Sequence, residues 1–302
     1  MTNISPSPPY QHPGLDDTAD QPRLWWRNFR KSLGLPASSD VGALSTIIKA
    51  LKTKTEETLG HEVHEAAASV PYLPAIYDED LYEAFEYVGM DYLQIKWRPG
   101  GPGYKFLTYD TPAALAGHNF SLCWDYSREH ACYDDDLPEN TDVYLLVTYS
   151  QSDLMVTMGT AQGRDLYDTH DTTALRLDLG SGSSLRTSNE KEYWNQVRDA
   201  VVNSIDDKYR HHHWYVPARL IFVGESISDE QFVGFVEAKV HDYLRERNEK
   251  LPKTIKNDPM FVQAKGVAEL ARRRPHLPTP ERPCGFNCPA AKARVSGEGL
   301  EL

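Results

Sequence analysis

Residues 142–158 read DVYLLVTYSQSDLMVTM. Two apolar runs, rich in β-branched and aromatic side chains, flank the polar tetrad Ser150, Gln151, Ser152 and Asp153. That pattern predicts two strands joined by a short turn. Strand and helix signals then alternate along the rest of the folded part, which favours an α/β architecture.

Before the hairpin, Asp40 is placed to cap a helix. Val41, Leu44, Ile47, Ile48, Leu51 and Leu59 follow as one apolar stripe at helical spacing, and Gly60 closes it. Ala66–Val70 reads as a short strand stopped by Pro71, Asp78–Met90 as an amphipathic helix, and Tyr92–Ile95 as another strand. Thr111–Gly117 is a helix of small residues. After the hairpin, Ala174–Leu179 reads as a strand running into Gly180-Ser181-Gly182-Ser183-Ser184. Glu190–Ile205 is a helix with Tyr193, Trp194, Val197, Val201 and Ile205 inward. Ala218–Val223 is a buried strand with a helix behind it over Asp229–Leu244, and a last helix spans Asp258–Ala271.

At 302 residues with 40% apolar composition the chain can bury a real core. Lys+Arg 32 against Asp+Glu 44 gives a net charge of -12. An acidic surface of this kind repels phosphate backbones and anionic lipid, which argues against a nucleic-acid or membrane binder. The first twenty residues show neither a basic n-region nor an apolar h-region, so no signal peptide is read there. Residues 1–22 and 272–302 are Pro-rich and without periodicity, and are expected to be disordered. Cys123, Cys132, Cys284 and Cys288 read as reduced thiols, and the Cys284/Cys288 spacing lacks the second pair that a metal site would need.

The order of these pieces resembles the actin-like ATPase superfamily, in the branch of the 70-kDa heat-shock chaperone ATPase domain. Residues 61–95, with Val70-Pro71-Tyr72 at their centre, are similar to that family's "AVVTVPAYF" strand and turn. Thr111–Gly117 is similar to the hinge helix "EPTAAALAYG". RLIFVGES, residues 219–226, is similar to the adenosine-holding "LVGGS", and DPMFVQAKGVAELA, residues 258–271, to the second hinge helix "DPDEAVALGAA". The resemblance covers about residues 40–271. It implies an actin-like (ribonuclease H-like) ATPase-domain fold of two lobes with an incomplete first lobe. Residues 23–120 would form that partial first lobe, 121–257 the second lobe, and 258–271 a hinge helix returning to the first.

The departures fall on the chemistry. Residues 1–40 hold nothing like the family's first phosphate loop, a strand ending in D-L-G-T. At the second phosphate loop a gap-free overlay puts Thr148 at the aspartate. Ser150, Gln151 and Ser152 then fall on three glycines and Asp153 on a threonine. In the adenosine turn, Gly224 and Ser226 match, but Glu225 replaces a glycine. Glycines let backbone N–H groups approach a phosphate, and the aspartate positions Mg²⁺. Phosphoryl transfer depends on positioning and charge neutralisation, so their loss predicts no hydrolysis and at most weak ATP or ADP binding.

The expected function is therefore a non-catalytic binding or regulatory module with a protein partner, in the cytoplasm or nucleus. The alternative is a residual ATP-binding protein or weak ATPase, with Thr148, Ser150 and Ser152 on phosphate and Gly224 and Ser226 on adenosine. A third is a serine hydrolase. Gly224-Glu225-Ser226-Ile227-Ser228 follows a strand and precedes a helix, as a nucleophile elbow does, with Asp242 and His276 downstream. Against it, Ser226 and Ser228 can simply cap the helix at Asp229. Trp25 and Trp26 are expected in a core. His61, His64 and His211–His213 are expected on the surface.

Overall fold

The computed structural model describes residues 21–71, 78–93, 108–120, 122, 142–162, 166–167, 172–211 and 215–273. The first described element is helix α1 (Gln21–Ser32), unforeseen from sequence, and α2 (Ser39–Leu59) follows it. The N-cap of α2 is Ser38, whose hydroxyl accepts from the Val41 N–H at 3.1 Å, so Asp40 lies inside the first turn instead of capping it. Gly60 ends the helix in the left-handed conformation, as its position suggests.

The Ala66–Val70 strand is split into β1 (Glu65–Ala66) and β2 (Ser69–Val70). Helix α3 (Asp78–Val88) and strands β3 (Asp91–Tyr92) and β4 (Thr108–Tyr109) follow. β1 pairs with β3 and β2 with β4, both in parallel. Val70, Leu81, Phe85, Met90 and Tyr92 form the core of this part, with the Phe85 and Tyr92 rings stacked at 4.7 Å. Helix α4 (Asp110–Gly117) comes directly off β4.

The hairpin is β5 (Asp142–Tyr149) and β6 (Leu154–Gln162), antiparallel and in register from Tyr149↔Leu154 to Asp142↔Ala161. β7 (Leu166–Tyr167) and β8 (Thr172–Arg176) both run antiparallel to β6. Helices α5 (Ser184–Ser188) and α6 (Glu190–His211) lead to β9 (Arg219–Val223), α7 (Glu230–Arg245), β10 (Lys253–Ile255) and α8 (Val262–Arg273). β9 lies parallel to β5 on one side and to β10 on the other, so the sheet order is β10-β9-β5-β6, with β8 and β7 along the outer side of β6.

This sheet is covered on both faces, and the period-2 geometry of a strand sorts its side chains between them. Leu145, Val147, Leu220 and Phe222 pack with Tyr193, Val197 and Val201 of α6 and Phe232, Val236 and Val240 of α7. Tyr144, Leu146, Ile221 and Val223 pack with Ala114 and Leu115 of α4 and Val262 of α8. Two buried faces explain why residues 143–147 of β5 and 220–223 of β9 are continuously apolar instead of alternating. α8 begins at Val262, four residues later than Asp258, because Asp258–Phe261 form a turn in which Asp258 takes a φ of 51°. Among the described residues no helix is long and apolar enough to cross a membrane.

Two apolar expectations fail. Of the α2 stripe only Val41 is buried, while Ile47, Leu51 and Leu59 are exposed. Trp25 and Trp26 are exposed rather than in a core. The four cysteines, His212, His213 and His276 lie outside the described residues.

Candidate functional site

The parallel pairing of β5 with β9 sets the place of the site. Thr148 sits opposite Val223, so both strands end at the same edge of the sheet, and their following turns are neighbours. β6 pairs Leu154 with Arg176, which brings the loop after β8 to that edge as well. Ligands of α/β sheets characteristically bind beyond such carboxyl ends. All eight candidate residues, Thr148, Ser150, Gln151, Ser152, Asp153, Gly224, Glu225 and Ser226, are gathered there.

The backbone N–H groups of the 150–153 turn all have acceptors, three of them within the turn. The Ser150 N–H donates to the Asp153 carbonyl at 3.0 Å. The Ser150 hydroxyl oxygen accepts from the N–H groups of Ser152 (3.1 Å) and Asp153 (2.9 Å). The remaining N–H, on Gln151, donates to Oε1 of Glu225 at 2.8 Å. The Asp153 carboxylate accepts from the Ser150 and Ser152 hydroxyls at 2.7 and 2.6 Å. An anion nest works by presenting unoccupied N–H groups to a ligand. Here the four N–H groups already have acceptors, one of them a carboxylate.

The neighbouring loops close over this turn. Ser181 and Gly182 donate their N–H groups to the Ser150 and Gln151 carbonyls at 2.9 Å each. Ser226 donates to the Tyr149 carbonyl at 3.2 Å, and Gly224 to that of Pro259 at 2.8 Å. The hydroxyls of Ser181 and Ser226 share a hydrogen bond of 2.9 Å. Gly224 has φ 113°, and a Cβ there would overlap the Tyr149 carbonyl oxygen. A Cβ on Gly180 would overlap the backbone of Gln151, Ser152 and Asp153. These glycines therefore admit protein backbone, the same close approach that a phosphate would otherwise use. The 180–184 loop is packed against the hairpin.

Beneath the loops lies a polar group that sequence reasoning did not pick out. Tyr149 and Tyr193 share a hydroxyl hydrogen bond of 2.9 Å, and Tyr193 donates to the Leu179 carbonyl at 3.1 Å. Arg186 donates to Tyr149 Oη at 3.1 Å and to Asp229 at 2.5 Å, and lies over the Tyr193 and Trp194 rings. Burial and the bond with Tyr149 push the Tyr193 phenol well up. Burial also raises the Asp229 carboxyl, but the Arg186 hydrogen bond and charge outweigh it and hold the group below its ordinary value. Asp229 is also the N-cap of α7, accepting from the Phe232 N–H at 3.1 Å, so neither Ser226 nor Ser228 caps that helix. The α7 boundary pointed to Asp229. Nothing pointed to Arg186, whose partners lie 37 and 43 residues away.

Thr148 Oγ1 is buried without a hydrogen-bond partner. A neutral hydroxyl there cannot supply the charge of the aspartate that the resemblance places at this position. Among the described residues no group of three or more His, Cys, Asp or Glu gathers to hold a metal ion. Asp242, the acid of the hydrolase alternative, pairs with Lys239 on the surface of α7 at 3.4 Å.

No protein-family model matches the chain, and no curated protein matches it. Among solved structures it is similar to the ethanolamine utilization protein EutJ from Carboxydothermus hydrogenoformans. The identity is 15% and the TM-score 0.46, over 77% of this chain and 75% of that one. Identity and superposition at this level transfer nothing from that protein to this one.

Proposed function

We propose that this chain is a degenerate relative of the actin-like ATPases that serves as a non-catalytic binding or regulatory module in the cytosol, acting on a protein partner. The observation that carries this reading is the occupancy of the 150–153 turn. Every N–H of that turn has a protein acceptor, and the Gln151 N–H is held by the Glu225 carboxylate. A phosphate entering there would have to displace that carboxylate and would meet Asp153 as a second negative charge, and Thr148 offers no carboxylate to hold an offsetting cation. Phosphoryl transfer without a metal carboxylate or a phosphate cradle loses most of its electrostatic stabilisation.

The topology fits the same reading. The meander β5–β6–β8, extended by the parallel strands β9 and β10 and backed by the α4–α8 pair, is what a second lobe with its two hinge helices would contain. We place that lobe at residues 121–257, a partial first lobe at 23–120, and the returning hinge helix at Val262–Arg273 rather than at 258–271.

Calorimetry with ATP and Mg²⁺ tests the function. The expected result is no saturable heat up to about 1 mM nucleotide, equivalent to a binding free energy weaker than about 4 kcal/mol. Micromolar affinity that disappears in Ser150→Trp would overturn the proposal and locate a working nucleotide site in this turn.

A further inference from the structure

Helices α1 and α3 are opposite in charge along their whole length. α1 carries Arg23, Arg27, Arg30 and Lys31 and no acid, whereas α3 carries Asp78, Glu79, Asp80, Glu83 and Glu86 and no base. On α3 the carboxylates of Glu79, Asp80, Glu83 and Glu86 stand three and four residues apart, so like charges are neighbours, which by itself disfavours the helix. α1 sets cations against that row. Arg23 bonds Glu79 at 2.5 Å, Arg27 bonds Asp80 at 2.7 Å and Glu83 at 3.0 Å, and Lys31 bonds Glu86 at 2.6 Å and Glu83 at 3.4 Å. The buried residue of α1 is Arg27 itself, and no side chain of α1 joins any cluster of buried hydrophobics among the described residues. The contacts of Val41 with Ala84, and of Leu81 with Phe85, close without it.

Docking of α1 is therefore a balance of Coulomb attraction against desolvation, with little apolar burial behind it, while the other layers of the fold are held by apolar contact. The two parts of the molecule answer to different conditions. We infer that α1 is a charge-latched arm: it undocks from α3 as a unit while the rest of the fold stays closed, and salt or a change of charge on either helix sets how far it is released. Undocking lengthens the free segment ahead of α2 and uncovers the carboxylate row of α3. A helix of twelve residues on its own is marginal in water, so the released arm also loses its amide protection. The latch is independent of the reading given to the 150–153 turn.

Native-state hydrogen exchange on the full chain is the test. The amides of α1 should exchange well ahead of those of α6 and α7. Raising sodium chloride from about 0.1 M to about 0.5 M should speed α1 at least about threefold and leave α6 and α7 unchanged, because screening weakens the partly exposed Arg23–Glu79 and Lys31–Glu86 pairs. Urea below the global transition should hardly move the α1 rate, since little apolar surface opens with it. Lys31→Glu and Glu86→Lys should each speed α1 exchange at least about fivefold. The two changes together should exchange more slowly than either alone, a rescue that loss of packing would not show. Both side chains lie at the surface, so the variants keep the core intact. Exchange of α1 only through global unfolding, a rate indifferent to salt, a steep dependence on urea, or a charge swap without rescue would each overturn the inference.

Discussion

Glu225 is where the residue scale departs most from what a sequence can say. Read along the chain it is a glycine position filled by a larger side chain, and the inference is a loss. In the fold its carboxylate bonds the N–H of Gln151, 74 residues earlier, and so occupies a donor of the hairpin turn. The neighbouring Gly224 remains because φ 113° and the approach of the Tyr149 carbonyl exclude a side chain. Gly224→Ala should therefore cost about 2–4 kcal/mol, read as a lowered urea midpoint, since it combines left-handed strain with an overlap against backbone. Asp110, the first residue of α4, offers a second test. Burial pushes its carboxyl up to about 6, against the opposing effect of a hydrogen bond with Ser69. The folded state then holds this proton more tightly than the unfolded chain, whose carboxyl titrates near 3.9. The stability it gives is fully present below about pH 4 and is lost as pH rises to about 6, on the order of 2–3 kcal/mol. Asp110→Asn should raise stability at pH 7 and flatten that part of the profile in chemical unfolding at pH values on both sides of the window. A variant whose profile parallels the wild type would show that Asp110 titrates normally.

At the scale of elements, what the sequence makes legible is what local pattern alone decides. The β5–β6 hairpin, β9, α6 and α7 are long apolar runs or strong stripes, and each forms where expected, although α6 runs on from Ile205 to His211. The Gly60 stop of α2 is a local backbone property and forms as expected. What stays hidden depends on partners distant in sequence. The α2 stripe predicts a buried face, but only the α3 side finds a cover, so Ile47 and Leu51 remain in solvent. α1 is hidden for the converse reason, because it docks through ions rather than apolar contact. The same dependence hid Arg186 within the candidate site. Nothing local marks Arg27 as a core residue, yet it neutralises the buried carboxylates Asp80 and Glu83. Arg27→Met should leave Asp80 without its cation and Glu83 with Lys31 alone, at 3.4 Å, and cost about 3–5 kcal/mol. The expected sign is fast amide exchange throughout α1, with protection retained in α6 and α7. Arg27→Lys should rescue only partly, because a single ammonium cannot reproduce the forked contact with two carboxylates.

At the scale of the whole molecule, α4 and α8 decide how the parts cohere. Leu115 and Val262 face the central sheet, while Ala113, Ala116, Val267 and Leu270 form a second cluster that Ala67, between β1 and β2, joins. Both sides of the helix pair are thus apolar, and the sheet and the N-terminal strands meet through it. The helices approach so closely that a Cβ on Gly266 would overlap the Ala113 carbonyl oxygen, and one on Gly117 the Val262 carbonyl. The obstructing atoms are backbone on both sides, so no side-chain rotation can relieve the overlap. The axes must separate, and every layer built on them must shift. Gly266→Ala should therefore cost more than its one added methyl suggests, about 3 kcal/mol or more, although alanine is the better helix former by about 1 kcal/mol. Gly234→Ala is the control. That glycine lies in α7 with open space where a Cβ would stand, so the same substitution should be neutral or stabilising. In thermal unfolding the Gly266 variant should melt well below wild type and the Gly234 variant at or above it. Equal midpoints would mean that the α4–α8 contact is looser than the backbone spacing requires.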